Sequence, residues 1–241
     1  MGSDVELTSY DSIDIVTYLK HIERPDSWNN LYERPYLVSK LPLLKERNVL
    51  DIGCGSGYFT DYVLKKGAKI TAIDVSRKMT ELIASRIKSA NLTLHSADIS
   101  KPMPFLTSES YDIAISSLVL HYIKDWNPLL TELHRVMKAG GRVFITTHHP
   151  LAMYFYVKPE SYYDFKLIED TWGTPNNRFK VHYYIRPLTE VLNPLLNSKF
   201  RIEAIEEMLP DESLRKSHPE LYRRLTERPG FLYIELEKEK T

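Results

Sequence analysis

The stretch Val49–Phe59, VLDIGCGSGYF, constrains this chain more than any other. A short apolar run carrying one acid, Asp51, feeds straight into glycines at alternate positions: Gly53, Gly55 and Gly57. Glycine accepts positive φ and has no Cβ, so a strand can turn sharply into a helix while its N–H groups approach a ligand. A tight turn alone also uses such residues, so the neighbouring sequence has to decide. The spacing is Gly-x-Gly-x-Gly, not the Gly-x-Gly-x-x-Gly of dinucleotide folds. Tyr58 stands where the third dinucleotide glycine belongs, and its ring obstructs the close helix–strand packing made there. Asp51 repels a pyrophosphate and attracts an ammonium or sulfonium.

From Asn48 onward strand-like and helix-like patterns alternate, which predicts a parallel sheet covered by helices on both faces. NVLDIG, AKITAID, LTLHSAD, YDIAISS and GRVFITTHH read as five strands. YFTDYVLKKG reads as a helix stopped at Gly67. SRKMTELIASRIKSA places Met79, Leu82, Ile83, Arg86, Ile87 and Ala90 at helical spacing. In NPLLTELHRVMKAGG, Asn127 is the expected cap, Pro128 the first helical residue, and Gly140 or Gly141 the terminator. After Pro150 an aromatic-crowded segment, punctuated by TPNN, reads as an inserted hairpin. A helix (PLTEVLNPLLNS), a strand (FRIEAIEEM), one amphipathic helix (DESLRKSHPELYRRLTE) and a last strand (GFLYIELEK) follow.

Two further acids follow the loop. Asp74 ends the second strand, where a carboxylate suits bidentate hydrogen bonding to two ribose hydroxyls. Asp98 follows the third strand, within reach of an exocyclic adenine amine. At successive strand ends on the carboxyl edge of one sheet, the three acids define a single crevice.

Composition excludes several alternatives. Lys plus Arg equals Asp plus Glu at 32 each, so a nucleic-acid partner is not expected. One cysteine, Cys54, excludes an internal disulfide framework and a cysteine metal cluster. No metal is expected, since His148 and His149 lack ligand spacing. The N-terminus does not read as a secretory signal, and Glu6 stands where a myristoylation signal needs Ser or Thr. No apolar run nears the roughly 18 residues of a membrane helix. A soluble, cytoplasmic protein with no membrane partner is expected, as monomer or homodimer.

VLDIGCGSG, ITAIDVSRKM, SADIS, YDIAISSLVLHYIKDW and RVMKAGGRVFITTHHP, in that order over about 48–150, resemble the class I S-adenosylmethionine-dependent methyltransferases, type 11 group. The flanking NNLYERPYLVSKLP and RPLTEVLNPL … RPGFLYIELEK extend the likeness weakly across the chain, to a bacterial subgroup. The resemblance implies a Rossmann-like α/β fold: a seven-stranded, mostly parallel sheet with an antiparallel last strand, and an aromatic hairpin inserted after strand five. The chain then divides as one methyltransferase domain over 1–241, with an N-terminal helical cap (1–47), a cofactor-binding core (48–150), an insert or lid (151–186) and the rest of the sheet (187–241). Asp51, Gly53, Cys54, Gly55 and Gly57 are implied at the methionine end of S-adenosylmethionine, and Asp74 at the ribose. Val75, Met79, Ala97, Asp98 and Ile99 are implied around the adenine, and Ser116, Ser117 and Leu118 beside the transferred methyl. Trp28 and Tyr32 are implied to close over the cofactor.

Methyl transfer from a sulfonium is an in-line displacement, accelerated chiefly by alignment and water exclusion. A base is needed only where the acceptor has a proton to lose. His121 is the first candidate, with Tyr122, His148 and His149 behind it. The crowded rings of the insert fit a lid over an acceptor pocket, and equally fit packing of the hairpin or a dimer face. A small-molecule methyltransferase, releasing S-adenosylhomocysteine, is the leading function. The alternatives are an RNA or DNA methyltransferase, disfavoured by SSLVLHY after strand four, and a non-catalytic cofactor-binding subunit.

Overall fold

The structure, a computed structural model, describes residues 15–174 and 177–240. The first fourteen residues, including the leader reading and the start of the cap, lie outside the described residues, as do Pro175 and Asn176 of TPNN. The chain opens with α1 (Ile15–Ile22) and a π-helical turn (Asn29–Glu33) that runs into α2 (Arg34–Lys40). There follow β1 (Asn48–Ile52), α3 (Tyr58–Lys65), β2 (Lys69–Asp74), α4 (Arg77–Arg86), β3 (Leu92–Ser96), β4 (Tyr111–Ser117), α5 (Asn127–Val136) and β5 (Met137–His148). These strands pair in parallel, with Val49 opposite Ile70 and Ile113.

After β5 come α6 (Pro150–Val157), the hairpin β6 (Lys166–Thr174) and β7 (Asn177–Ile185), then α7 (Leu188–Asn197) and β8 (Phe200–Glu207). Two short helices, α8 (Leu214–Ser217) and α9 (Pro219–Glu227), lead to β9 (Phe231–Lys238), which pairs antiparallel with both β5 and β8. The sheet order is β3-β2-β1-β4-β5-β9-β8, with β6–β7 a separate two-stranded sheet. The order reverses between β1 and β4, and such a switch point opens a crevice at the carboxyl ends of the strands.

Side chains alternate across a strand, so β1 feeds two cores. Leu50 and Ile52 pack on one face with Ile73, Trp126 and Leu130, and Val49 packs on the other with Phe59, Val63, Ile70 and Phe144. Burial on both faces is why these strands read as nearly continuous apolar runs.

Five boundaries differ from expectation. Asn127 does not cap α5: its backbone N–H and side-chain amide both donate to Asp125 Oδ1, at 2.9 and 2.7 Å. That helix ends at Val136, and Met137 is already extended and paired with Tyr111. α4 stops at Arg86, where Ile87 turns extended. The aromatic segment begins as α6 rather than a strand, because His149 Nδ1 accepts the Leu151 N–H at 3.1 Å and Pro150 fits the first turn. The helix expected over 211–227 breaks at His218, immediately before Pro219.

Candidate active site

The loop after β1 is shaped by its glycines for different reasons. A Cβ on Gly53 (φ 70°) would lie 2.4 Å from Val119 Cγ2, and one on Gly57 would lie 2.9 Å from Ile83 Cγ1. Gly55 (φ 50°) meets only the Tyr18 hydroxyl, at 4.0 Å, so its open side faces the cavity. The loop is tied to β2, since the Gly53 and Cys54 N–H groups donate to the Ile73 carbonyl at 2.8 and 2.9 Å. Gly55 N–H donates to Asp74 Oδ2 at 2.8 Å, and Ser76 N–H to Oδ1 at 2.9 Å. Backbone donors thus aim the Asp74 carboxylate.

Asp51 is 2% exposed and accepts from Thr60 Oγ1 at 2.7 Å. Burial, reinforced by Asp74, pushes its carboxyl up to about 7. Burial also pushes the Cys54 thiol up, so it is not poised as a nucleophile. Asp98 accepts from the Ser100 N–H at 2.9 Å and hydroxyl at 2.6 Å, with Lys101 at 3.4 Å.

From this loop a cavity of about 1350 Å3 runs to the aromatic insert. Asp51, Gly53, Cys54, Gly55, Asp74 and Val75 line it at one end, with Met79, Asp98 and Ile99 beside them. Ser117, Leu118, His121 and Trp28 also line it. Leu118 follows β4 at φ 55°, a conformation a leucine holds only under constraint from its surroundings; its N–H donates to the Thr146 carbonyl at 3.0 Å.

Five expected residues lie off the cavity wall. Tyr32 is 1% exposed, donates to the Met208 carbonyl and stacks on Phe231 at 5.5 Å, so it backs the site rather than closing over it. Ser116 is fully buried with its hydroxyl sealed. Ala97 packs against the core, and Gly57 starts α3. His149, besides capping α6, holds Glu207 Oε1 3.0 Å from Nε2, which occupies both ring nitrogens in structural contacts.

The other end of the cavity is walled by rings, among them Tyr18, Tyr122, Tyr156, Trp172 and Tyr183. Tyr18 meets Phe179 edge-on at 5.9 Å and His21 lies 6.2 Å from Trp172, so α1 and the hairpin touch above the cavity. The insert therefore both lines the cavity and packs its own rings, with Tyr183 doing both. His121 and His148 stack face to face, centroids 3.7 Å apart and planes 7° apart. Burial drives His121 well below the usual histidine range and His148 to about 4. Both rings are neutral at pH 7. His121 Nε2 is sealed without a partner, and its Nδ1 is 3.5 Å from Thr147 Oγ1, at the limit of a hydrogen bond. The first base candidate thus presents no open nitrogen to the cavity.

Sequence reasoning missed Arg34, Tyr18 and His21. Arg34 is 7% exposed, lines the cavity and lies 4.2 Å above the Tyr58 ring. The available signal was an arginine between the aromatic pair Tyr32 and Tyr36 of NNLYERPYLV. For Tyr18 and His21 there was none, because their position depends on where the hairpin lands.

Among the described residues no group of three or more His, Cys, Asp or Glu is placed to hold a metal, and no helix is long and apolar enough to cross a membrane. Residues 50–145 match the type 11 family described as "Methyltransferase domain". The chain is similar to an "Uncharacterized protein" of Haemophilus influenzae, 29% identical over 239 residues and 92% of each chain. It is also similar to a malonyl-[acyl-carrier protein] O-methyltransferase of Salmonella typhimurium, 36% identical over 42% of this chain and only 38% of that enzyme. Among solved structures it resembles an S-adenosylmethionine dependent methyltransferase from Mesorhizobium loti, with TM-score 0.70, 28% identity and coverage of 85% and 97%. It shares the fold of Haemonchus contortus phosphoethanolamine N-methyltransferase 2 in complex with S-adenosylmethionine, with TM-score 0.67, 16% identity and coverage of 99% and 61%. The switch-point crevice, the alternate-glycine loop and these likenesses converge: residues 50–145 carry a type 11 methyltransferase domain within the class I methyltransferase fold, that of an enzyme whose cofactor is S-adenosylmethionine.

Proposed function

We propose that this enzyme methylates a small-molecule acceptor. The observation that carries the proposal is the continuous cavity of about 1350 Å3 between the glycine loop and the aromatic insert. A single small-molecule site spans roughly 300–1,000 Å3, so this volume accommodates the cofactor and a separate acceptor together. The balanced charge gives a nucleic-acid backbone no general attraction.

The residues present suit the cofactor. The half-neutral, buried carboxyl of Asp51 ionises when a cation arrives, which favours the ammonium and sulfonium of the methionine end. Gly55 leaves open space for a ligand to approach the backbone. Asp74, oriented by two N–H groups, would accept from the ribose hydroxyls. Val75, Met79, Asp98 and Ile99 would bracket the adenine, while Ser117 and Leu118 would lie beside the methyl. Trp28 takes the place against the cofactor that Tyr32 does not. Bound S-adenosylmethionine supplies an electrophilic methyl; the protein aligns the acceptor and excludes water.

The carrier-protein methyltransferases match too little of their own length for their acceptor to be carried over. Incubation with methyl-labelled cofactor and a metabolite extract tests the proposal. Label in a small molecule is expected, and label confined to RNA, DNA or protein would overturn it.

A further inference from the structure

Buried imidazole nitrogens without partners occur at the ring-walled end on His21 and His182 as well as on the stacked pair, and the geometry of the stacked pair separates the roles of its two rings. His121 is 2% exposed with Nε2 sealed, so it stands behind. His148 lines the cavity with Nδ1 sealed and unpartnered, which leaves Nε2 as the nitrogen able to meet a ligand. A dry, orphaned N–H is less tolerable than a dry lone pair, so the proton is assigned to Nε2. The Tyr183 ring stands perpendicular to that of His148, at 5.2 Å and 89°, and Trp172 lies 6.3 Å away.

The charges around this pair decide the substrate class. Asp170 is the facing acid, and it already accepts from Trp172 Nε1 at 2.8 Å and the Tyr183 hydroxyl at 3.0 Å. Asp125, farther along the wall, accepts from Asn127. Arg186 reaches His121 electrostatically from behind, where its guanidinium lies over Trp126 and donates to the Ile123 carbonyl. A protonated amine would therefore find aromatic faces and two carboxylates that already accept hydrogen bonds, next to a sulfonium that repels it. Burial disfavours a proton on His148 more than the nearby Asp170 favours one, and burial and His148 disfavour one on the sealed His121, so the pair does not strip a proton from a weak acid.

We infer that His148, backed by the stacked ring of His121, positions a planar aromatic acceptor by donating from Nε2, and that the acceptor's reacting atom carries a lone pair and no proton to lose. This rests on the small-molecule reading of the same site. In the step, the acceptor's lone pair forms the bond to the methyl carbon as the carbon–sulfur bond breaks, its electron pair remaining on sulfur. An ionised oxygen becomes a neutral ether, or a ring nitrogen becomes a cation, and no proton moves. His148 is thus a hydrogen-bond donor rather than a base, and His121 a positioning residue behind it.

Calorimetry on the full chain saturated with S-adenosylhomocysteine tests this, using quinoline, 4-nitrophenol ionised at pH 8, and cyclohexylamine as probes. Quinoline and the nitrophenolate, the nitrogen and oxygen arms, are expected to bind, and the amine is not. His148→Phe should weaken quinoline binding about tenfold through loss of one hydrogen bond. His148→Gln, which carries an amide N–H near the place of Nε2, should recover most of that loss, as no base could. Unchanged S-adenosylhomocysteine affinity in each variant separates these effects from misfolding. Failure of both ring probes to bind, tighter binding of the amine, or a Gln variant as impaired as the Phe variant would each overturn the inference. If the rings fail while an aliphatic metabolite takes up label, the small-molecule reading stands and this inference falls. If label enters only macromolecules, both fall.

Discussion

The two ends of the cavity are built on opposite plans. At the loop end, Asp51, Asp74 and Asp98 sit on consecutive strand ends and each accepts a bond from a nearby group. At the insert end, rings from α1, α6 and the hairpin meet across long sequence distances, and buried imidazole nitrogens are left without partners. The difference teaches that a fixed ligand can be met by a short, locally closed structure. The acceptor is instead met by segments whose relative placement only the fold determines.

The comparison is tested most severely at Asp74. Asp74→Ala removes an acceptor from two backbone N–H groups and the proposed ribose contact, so S-adenosylhomocysteine affinity should fall about 100-fold or more by calorimetry. A change near twofold would mean the loop end is not the cofactor end. Trp172→Ala, at the other end, should leave that affinity within about twofold while lowering kcat/KM for the labelled acceptor about tenfold. Equal losses in both would erase the division.

Asp51 sharpens the comparison through pH. Its carboxyl, at about 7, lies above the unfolded value of about 3.9, so the folded chain holds the proton more tightly. Its contribution to stability is therefore fully present below the unfolded value and is lost as pH rises through about 7. Asp51→Asn should raise Tm at pH 8 and change it little at pH 4. In the unmutated protein cofactor affinity should weaken as pH falls below 7, and the Asn variant should lose that slope. The smallest effect is expected at His149. His149→Ala removes a helix cap, costing about 1 kcal/mol in denaturant unfolding, with no loss of cofactor affinity.

The sheet and the loop end were legible because their signals are local. Apolar runs ended by glycine, acid or paired serines locate β1, β2 and β4 nearly to the residue, and Tyr58 with Asp51 argued against a dinucleotide. The misreadings share a cause. MYFYV has the composition of a strand, yet it follows the His149 cap and Pro150 at the first turn and is helical. MKAGG continues a helical pattern, yet Met137 leaves it to pair with Tyr111 at the edge of β4. Tyr32 and His121 carry the right chemistry near the right motifs, but packing turned one away and sealed the other. Burial of that kind is a property of the assembled fold, which spacing does not report.

The bond from Gly55 N–H to the Asp74 carboxylate has a thermodynamic consequence. Together with the Ile73 carbonyl, it fixes the shape of the glycine loop as soon as β1 and β2 pair. The cofactor then meets a surface already set, with no disordered segment to recruit. Its binding should bury ligand area without folding chain, so the heat-capacity change should stay far below that of coupled folding and binding. Hydrogen exchange at Gly53, Cys54 and Gly55 should be slow before any ligand is added.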